Sequence, residues 1–184
     1  MSRAQSAPGT AFLLITSASP DLLKLSAALR EFAEVRETAI LYGQYDVVAI
    51  LREVDEGRAQ EIAGQVALWP QVNFALVEVA EDGAGFQRPA AGGKGTAPTE
   101  AFVEMTVDSL QRAAVLQQLH SIDEVVEARP VGDNRVLCWL YGVSKTAIDR
   151  AMMEKLRGVL GVFATSSYLA VGEPTSAYRW SRPA

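Results

Sequence analysis

Histidine and cysteine are almost missing from this 184-residue chain, which has one of each, His120 and Cys138. A zinc site draws several ligands from those two residue types, and a Ser-His nucleophile needs a histidine to spare. His120 ends a helical stretch, where a helix-terminal residue is the plain expectation. Cys138 cannot close an internal disulfide. In the apolar run "VLCWLY" it reads as a small buried hydrophobe, which suits a reducing, cytoplasmic setting. No metal or other cofactor is expected.

Basic runs are missing too. The net charge is −5 and the few Lys and Arg residues are scattered. Binding to DNA or RNA rests on cations set against phosphates, so direct nucleic-acid contact is not expected. No stretch is apolar for long enough to cross a bilayer, and the opening "MSRAQSAPGT" lacks the apolar segment of a secretion signal. What remains is 49 % hydrophobic and 21 % charged, ordinary for a soluble globular protein of one or two small domains.

The chain divides at residues 81–99, "EDGAGFQRPAAGGKGTAPT", which reads as a flexible linker. "TAFLLIT" before it is answered by "EAFVEMT" after it, at an offset of 90. The same offset pairs Leu29 with Leu119, Val35 with Val125, Glu37 with Glu127 and Val72 with Val162. This is the pattern of a divergent internal repeat. Aligning Gly43 with Gly132 needs a slip of one, which would exchange strand faces.

Each half reads β-α-β-β-α-β, the ferredoxin-like order, in an α+β protein with antiparallel sheets. In the first half, residues 11–80, strands are expected at 11–17, 35–42, 45–53 and "VNFALVEVA". Ser19 caps the first helix, with Pro20 at its first position, and Asp55 caps the second. In the second half, residues 100–172, strands fall at 101–107, "VVEARPV", "RVLCWLY" and "VFATSSYLAV". Helices run over Ser109–His120 and onward from Ser144 through Ile148, Met152, Leu156 and Val159. Residues 1–10 read as a flexible start and 173–184 as a tail.

"VVAIL" and "VLCWLY" scarcely alternate with polar residues, so both faces of each sheet need cover. Sheet-to-sheet pairing, within one chain or between chains, would supply it. A homodimer or a larger homo-oligomer is the expectation.

"AFLLIT", "ALREFAEVRET", "YGQYDVVAIL" and "ALWPQVNFALVEV" together resemble the effector-binding (RAM) domain of the Lrp/AsnC transcriptional regulators. The likeness covers residues 11–80. Residues 101–172 resemble that domain only in pattern and carry "VGDNRV" where a Gly-x-Tyr-Asp turn would stand. Ten residues before the likeness are too few for the helix-turn-helix that such regulators use to read DNA. The resemblance thus implies the sensing and oligomerising half of a regulator, not an enzyme.

It also implies a small-molecule effector, an amino acid or similar metabolite, held near the turn Tyr42, Gly43, Gln44, Tyr45 and Asp46. The chemistry is consistent with that. Asp46 can hold an ammonium, the N–H groups around Gly43 and Gln44 can hold a carboxylate, and Tyr42 or Tyr45 can wall a side chain. The residues alone also fit a plain turn: Asp46 bonded to nearby N–H groups, Gly43 at positive φ and tyrosines packed across strands. Asp133, Asn134 and Arg135 favour a solvated turn in the second half. Two other functions stay open: a protein-interaction scaffold or modulator of a full-length regulator, and a small dimeric ferredoxin-like enzyme, for which Asp46 near Tyr45 is the one acid–base candidate.

Lesser features have plain readings. Trp69 and Trp139 read as core or interface, Met152 and Met153 as helix packing, and Gly64 as a close approach or a tolerated residue. "GGKG" at 92–95 reads as linker. Tyr178, Arg179, Trp180 and Arg182 in the tail are of the types that anchor contacts.

Overall fold

The computed structural model describes residues 9–81, 83–88 and 99–171. Residues 1–8 of the stretch read as a flexible start, "GGKG" and the tail read over 173–184 lie outside the described residues. The chain divides into two compact units, Met1–Asp82 and Gly83–Ala184.

Unit 1 contains β1 (Gly9–Ser17), α1 (Leu22–Leu29), β2 (Val35–Tyr42), β3 (Val47–Val54), α2 (Glu56–Ala67) and β4 (Val72–Val79). Its strands lie in the order β4-β1-β3-β2, all antiparallel. One sheet face carries the helices. Ala11, Leu13, Ile15, Val47, Ala49 and Leu51 project there and pack with Leu25 and Leu29 of α1 and Ala59, Ile62 and Val66 of α2. The other alternation, Phe12, Leu14, Val48 and Ile50, is fully buried as well. At roughly 25 cal/mol per Å² of apolar surface, side chains of this size are worth about 1.5–3 kcal/mol each. That is why the strands lack a polar alternation.

Unit 2 repeats the order: β6 (Thr99–Val107), α3 (Arg112–His120), β7 (Val125–Val131), β8 (Arg135–Gly142), α4 (Lys145–Arg150) and β9 (Val162–Val171), preceded by a short β5 (Phe86–Gln87). Its strands lie in the order β9-β6-β8-β7-β5. Val103, Met105, Val136 and Cys138 pack against Val115, Leu119, Ile148 and Leu156. Cys138 is buried, and burial, followed by the charge of Glu127, pushes its thiol well above the ordinary range. Glu37 and Glu127, at matching places on β2 and β7, are buried but ion-paired, with Arg52 at 3.0 Å and Arg129 at 2.9 Å. A buried carboxylate without such a partner would be prohibitive.

Several boundaries differ from expectation. β1 begins at Gly9, inside the stretch read as a flexible start. Asp21, not Ser19, caps α1: its carboxylate accepts from Lys24 N–H at 3.2 Å, and the helix opens at Leu22. Ser19 Oγ instead accepts from Asp21 N–H. The linker is not a free chain throughout 81–99, because Phe86 and Gln87 pair with Ala128 and Glu127 of β7. β7 runs through Pro130 to Val131: Val126 and Ala128 turn their carbonyls away from β8, and Pro130 shares that parity, so its missing N–H faces the outer edge.

The slip at Gly43/Gly132 resolves without exchanging any faces. Ile15 pairs with Val47, and Met105 with Val136, so strand faces match in both units. The missing residue is taken out of the loop, which holds four residues, 43–46, in unit 1 and three, 132–134, in unit 2. The offset is then 89, as in the caps Asp55 and Ser144. It returns to 90 because α4 runs into a π-helical turn, Ala151–Lys155, and a 3-10 turn, Leu156–Gly158. A π-turn takes up one extra residue. It also moves the buried face, so that Ala151 is buried and Met152 only partly.

Candidate functional site

At one end of the unit 1 sheet three segments meet: the exit of β1, the β2–β3 turn and the α2–β4 junction. β1 ends in "SASPD", and small polar side chains there bond to backbone groups instead of extending the strand. Ser17 Oγ donates to Gln71 O at 2.9 Å and accepts from Ser19 N–H at 3.1 Å. Ala18 N–H donates to Gln71 O at 2.9 Å.

Asp46 ties the turn to this corner. Its N–H donates to Ile15 O and its carbonyl accepts from Leu41 N–H, both at 2.8 Å. Its carboxylate Oδ2 accepts from Ser17 N–H at 2.7 Å. A carboxylate therefore enters the mouth of β3 because the last strand donor of β1 has no carbonyl to meet. The second oxygen, Oδ1, has no hydrogen bond to the described residues, and Asp46 is half-exposed.

The other four residues of the turn do not converge on one cavity. Tyr42 is 82 % exposed, Gly43 and Gln44 are exposed, and Tyr45 is buried. Gly43 takes positive φ. The arrangement is an open, acidic corner, with Gln44 and Tyr42 in the same turn and the carbonyls of Ile15, Asp46 and Gln71 already accepting. It can accept a hydrogen bond or a positive charge at Asp46 Oδ1. Ser17, Ser19 and Gln71 were missed by the sequence reading, although the Ser-x-Ser-x-Asp run after an apolar strand was a usable signal.

The matching corner of unit 2 is closed differently. Val107 N–H, at the place of Ser17, donates to the backbone carbonyl of Asn134 at 2.8 Å. Arg112 Nη1 donates to Gly132 O at 2.6 Å. Asp108 turns its carboxylate to Leu110 N–H and Gln111 Nε2, at 2.9 and 3.1 Å. Asp133 and Asn134 are exposed.

His120 is the last residue of α3, and its ring lies edge-on to Phe86 at 4.8 Å. Trp69 stacks on Phe32, and Trp139 is buried beside Phe102. A shallow groove of about 370 Å³ in unit 2 is lined by Arg157, Val162, Phe163, Ala164 and Thr165, none of them in the turn. Among the described residues no group of three or more His, Cys, Asp and Glu could hold a metal ion, and no helix is long and apolar enough to cross a membrane.

No family model matches the chain, and no curated protein does. Solved structures do. A candidate monooxygenase from Fusobacterium nucleatum matches with a TM-score of 0.57 at 6 % identity, over 92 % of this chain and 93 % of its own. A candidate monooxygenase from Lactobacillus acidophilus matches with a TM-score of 0.52 at 7 % identity, over 93 % and 98 %. An anthrone oxidase-like protein matches with a TM-score of 0.52 at 10 % identity, over 95 % and 96 %. At such identities the likeness is one of fold alone, a ferredoxin-like α+β fold.

Proposed function

We propose that the chain is a tandem of two RAM-like repeats acting as a non-enzymatic sensing module that oligomerises, with one effector corner per chain, in unit 1. The effector is a small amine-bearing metabolite, an amino acid or close relative. The observation that carries this reading is Asp46 Oδ1, which has no hydrogen bond to the described residues, on a half-buried carboxylate whose turn neighbours Tyr42, Gly43 and Gln44 are exposed. An ammonium set there gains a charge-assisted hydrogen bond, of the stronger kind. In unit 2 the matching strand-end N–H is met by the backbone carbonyl of Asn134, so no carboxylate is drawn to that position.

The test is thermal unfolding with a panel of amino acids. A ligand at a hundred times its Kd stabilises the folded state by about 2.7 kcal/mol, several degrees in Tm for a unit of this size. Asp46→Asn keeps an oxygen for Ser17 N–H but removes the charge, so the shift should vanish while the unliganded Tm stays close to wild type. A panel without any shift, together with a partner protein that co-purifies in fixed ratio, would turn the assignment to a scaffold.

A second reading, a small oxygenase, has one observation in its favour beyond the names of the fold neighbours. The indole N–H of Trp139 is buried and meets no hydrogen-bond acceptor among the described residues, next to Phe102, whose ring lies 6.0 Å from that of Tyr168. Tyr168 in turn donates to Glu104 at 2.9 Å. Oxygen uptake on adding a phenolic or anthrone-type substrate, abolished by Trp139→Phe, would favour it.

A further inference from the structure

The shallow groove of unit 2, about 370 Å³, is lined by Arg157, Val162, Phe163, Ala164 and Thr165. That lining offers hydrogen-bond donors and apolar surface, and none of its side chains is acidic. Arg157 lies in the 3-10 turn Leu156–Gly158, directly after the π-turn, an irregularity that recurs at functional sites. Its guanidinium makes no hydrogen bond or ion pair to the described residues, and neither does the hydroxyl of half-buried Thr165. Phe163 is 73 % exposed, and Leu160, in the loop that leads into the groove, is 72 % exposed. That loop is fixed in place: the side-chain amide of Gln118 accepts from Leu160 N–H at 3.1 Å and donates to Leu160 O at 3.3 Å. A single exposed apolar side chain is ordinary. Here a ring and a leucine are held out beside a cation that the described residues leave unpaired.

Unit 1 has no counterpart. The offset of 90 holds at this point, since Val66 and Leu156 are both fully buried. Ala67 then stands for Arg157, Asn73 for Phe163 and Ala75 for Thr165. The cation, the ring and the hydroxyl are therefore particular to unit 2.

We propose that this groove binds a small amphiphilic carboxylate, a medium-chain alkanoate, with its head group on Arg157 and Thr165 and its chain along Val162 and Phe163. A guanidinium grips a carboxylate through two parallel hydrogen bonds, which fixes direction as well as sign. The volume lies in the lower part of the range for small-molecule sites, roughly 300–1,000 Å³. An ammonium finds no anionic side chain in the lining. The Asp46 corner selects the opposite charge and belongs to the other unit, so either assignment can fail alone.

The experiment titrates full-length, ¹⁵N-labelled protein with octanoate and follows the amide resonances of residues 157 and 162–165. An open groove holds a ligand this small weakly, so saturation is expected at roughly 1–10 mM. Butyrate, with less chain to bury, should bind at least about tenfold more weakly. Octylammonium should not move these resonances. Arg157→Gln should weaken octanoate at least about tenfold, and Arg157→Lys, which keeps the charge without the fork, should fall between it and wild type. Phe163→Ser should narrow the gap between octanoate and butyrate. Arg157 and Phe163 are exposed, and the same spectra show that each variant is folded. Groove resonances that ignore octanoate overturn the site. Octylammonium binding as well as octanoate, or an Arg157→Gln variant that binds octanoate like wild type, overturns the carboxylate as its ligand.

Discussion

The two units close the same corner of the same fold with different chemistry. In unit 1 the strand-end N–H of Ser17 is met by a side-chain carboxylate, Asp46, and one oxygen is left over. In unit 2 the matching N–H of Val107 is met by a backbone carbonyl, and an arginine covers the turn. The difference follows from a single residue. A four-residue turn sets Asp46 within reach of β1, whereas the three-residue turn brings the main chain of Asn134 there directly. A corner closed by main chain needs no side chain, and one closed by a carboxylate keeps an acceptor that a ligand can use.

The comparison breaks most directly at these two positions. Asp46→Ala leaves Ser17 N–H without its acceptor and should cost about 1–2 kcal/mol, the range for an unmet donor that is only half-buried. Asn134→Ala keeps the carbonyl that matters and should cost less than about 0.5 kcal/mol, as exposed substitutions do. Urea unfolding of both variants measures the gap. Equal losses would mean that the two corners are held alike.

Two glycines sharpen it further. Gly161 stands at the place of Gln71: Asp108 N–H donates to its carbonyl as Ala18 N–H does to that of Gln71. Yet Gly161 has φ 93°, and a Cβ would press on Gln111 and Val115 at 3.1 Å. Gly161→Ala should therefore destabilise by about 1 kcal/mol or more. Gly64, inside α2, has nothing within 4 Å of a Cβ. It is tolerated, not required, and Gly64→Ala should stabilise by up to about 1 kcal/mol, seen as a higher urea midpoint with an unchanged slope.

The strands were legible because their evidence is local and repeated. "VVEARPV" and "VFATSSYLAV" are the observed β7 and β9, and β2 matches as well. The cap Asp55, and Ser144 as the start of its helix, were legible for the same reason. The π-turn was not. Ile148, Met152 and Leu156 look like one helical face, and only the return of the offset to 90 at β9 betrays the extra residue. β5 was hidden by composition: glycine and alanine around "GFQR" read as linker, while Arg88 donates to the carbonyls of Val125 and His120, more than thirty positions away. At the corner, the turn was visible, but the role of Asp46 rests on Ser17, a contact across 29 positions that no local pattern announces.

The smallest expected effect concerns a glutamate at matching positions, Glu34 and Glu124. Glu34 is held by Arg58 from the first turn of α2, with Nε to Oε1 at 2.6 Å. Glu124 is held by Lys155 from the π-turn at the far end of the second helical segment of unit 2, at 2.7 and 2.9 Å. The hydrogen bond from Arg58 keeps the Glu34 carboxyl below its ordinary value of 4.5. A carboxyl depressed by folding binds fewer protons folded than unfolded. Its contribution is therefore complete above 4.5 and is lost as the pH falls through the lower, folded value. Arg58 is more than one-third exposed and the pair is screened, so the effect is small. Glu34→Gln should leave the urea midpoint near neutral pH slightly lower than wild type, with the difference shrinking on acidification below 4.5. A difference that grows toward acid would reverse the sign of the linkage and remove Arg58 as the partner that matters.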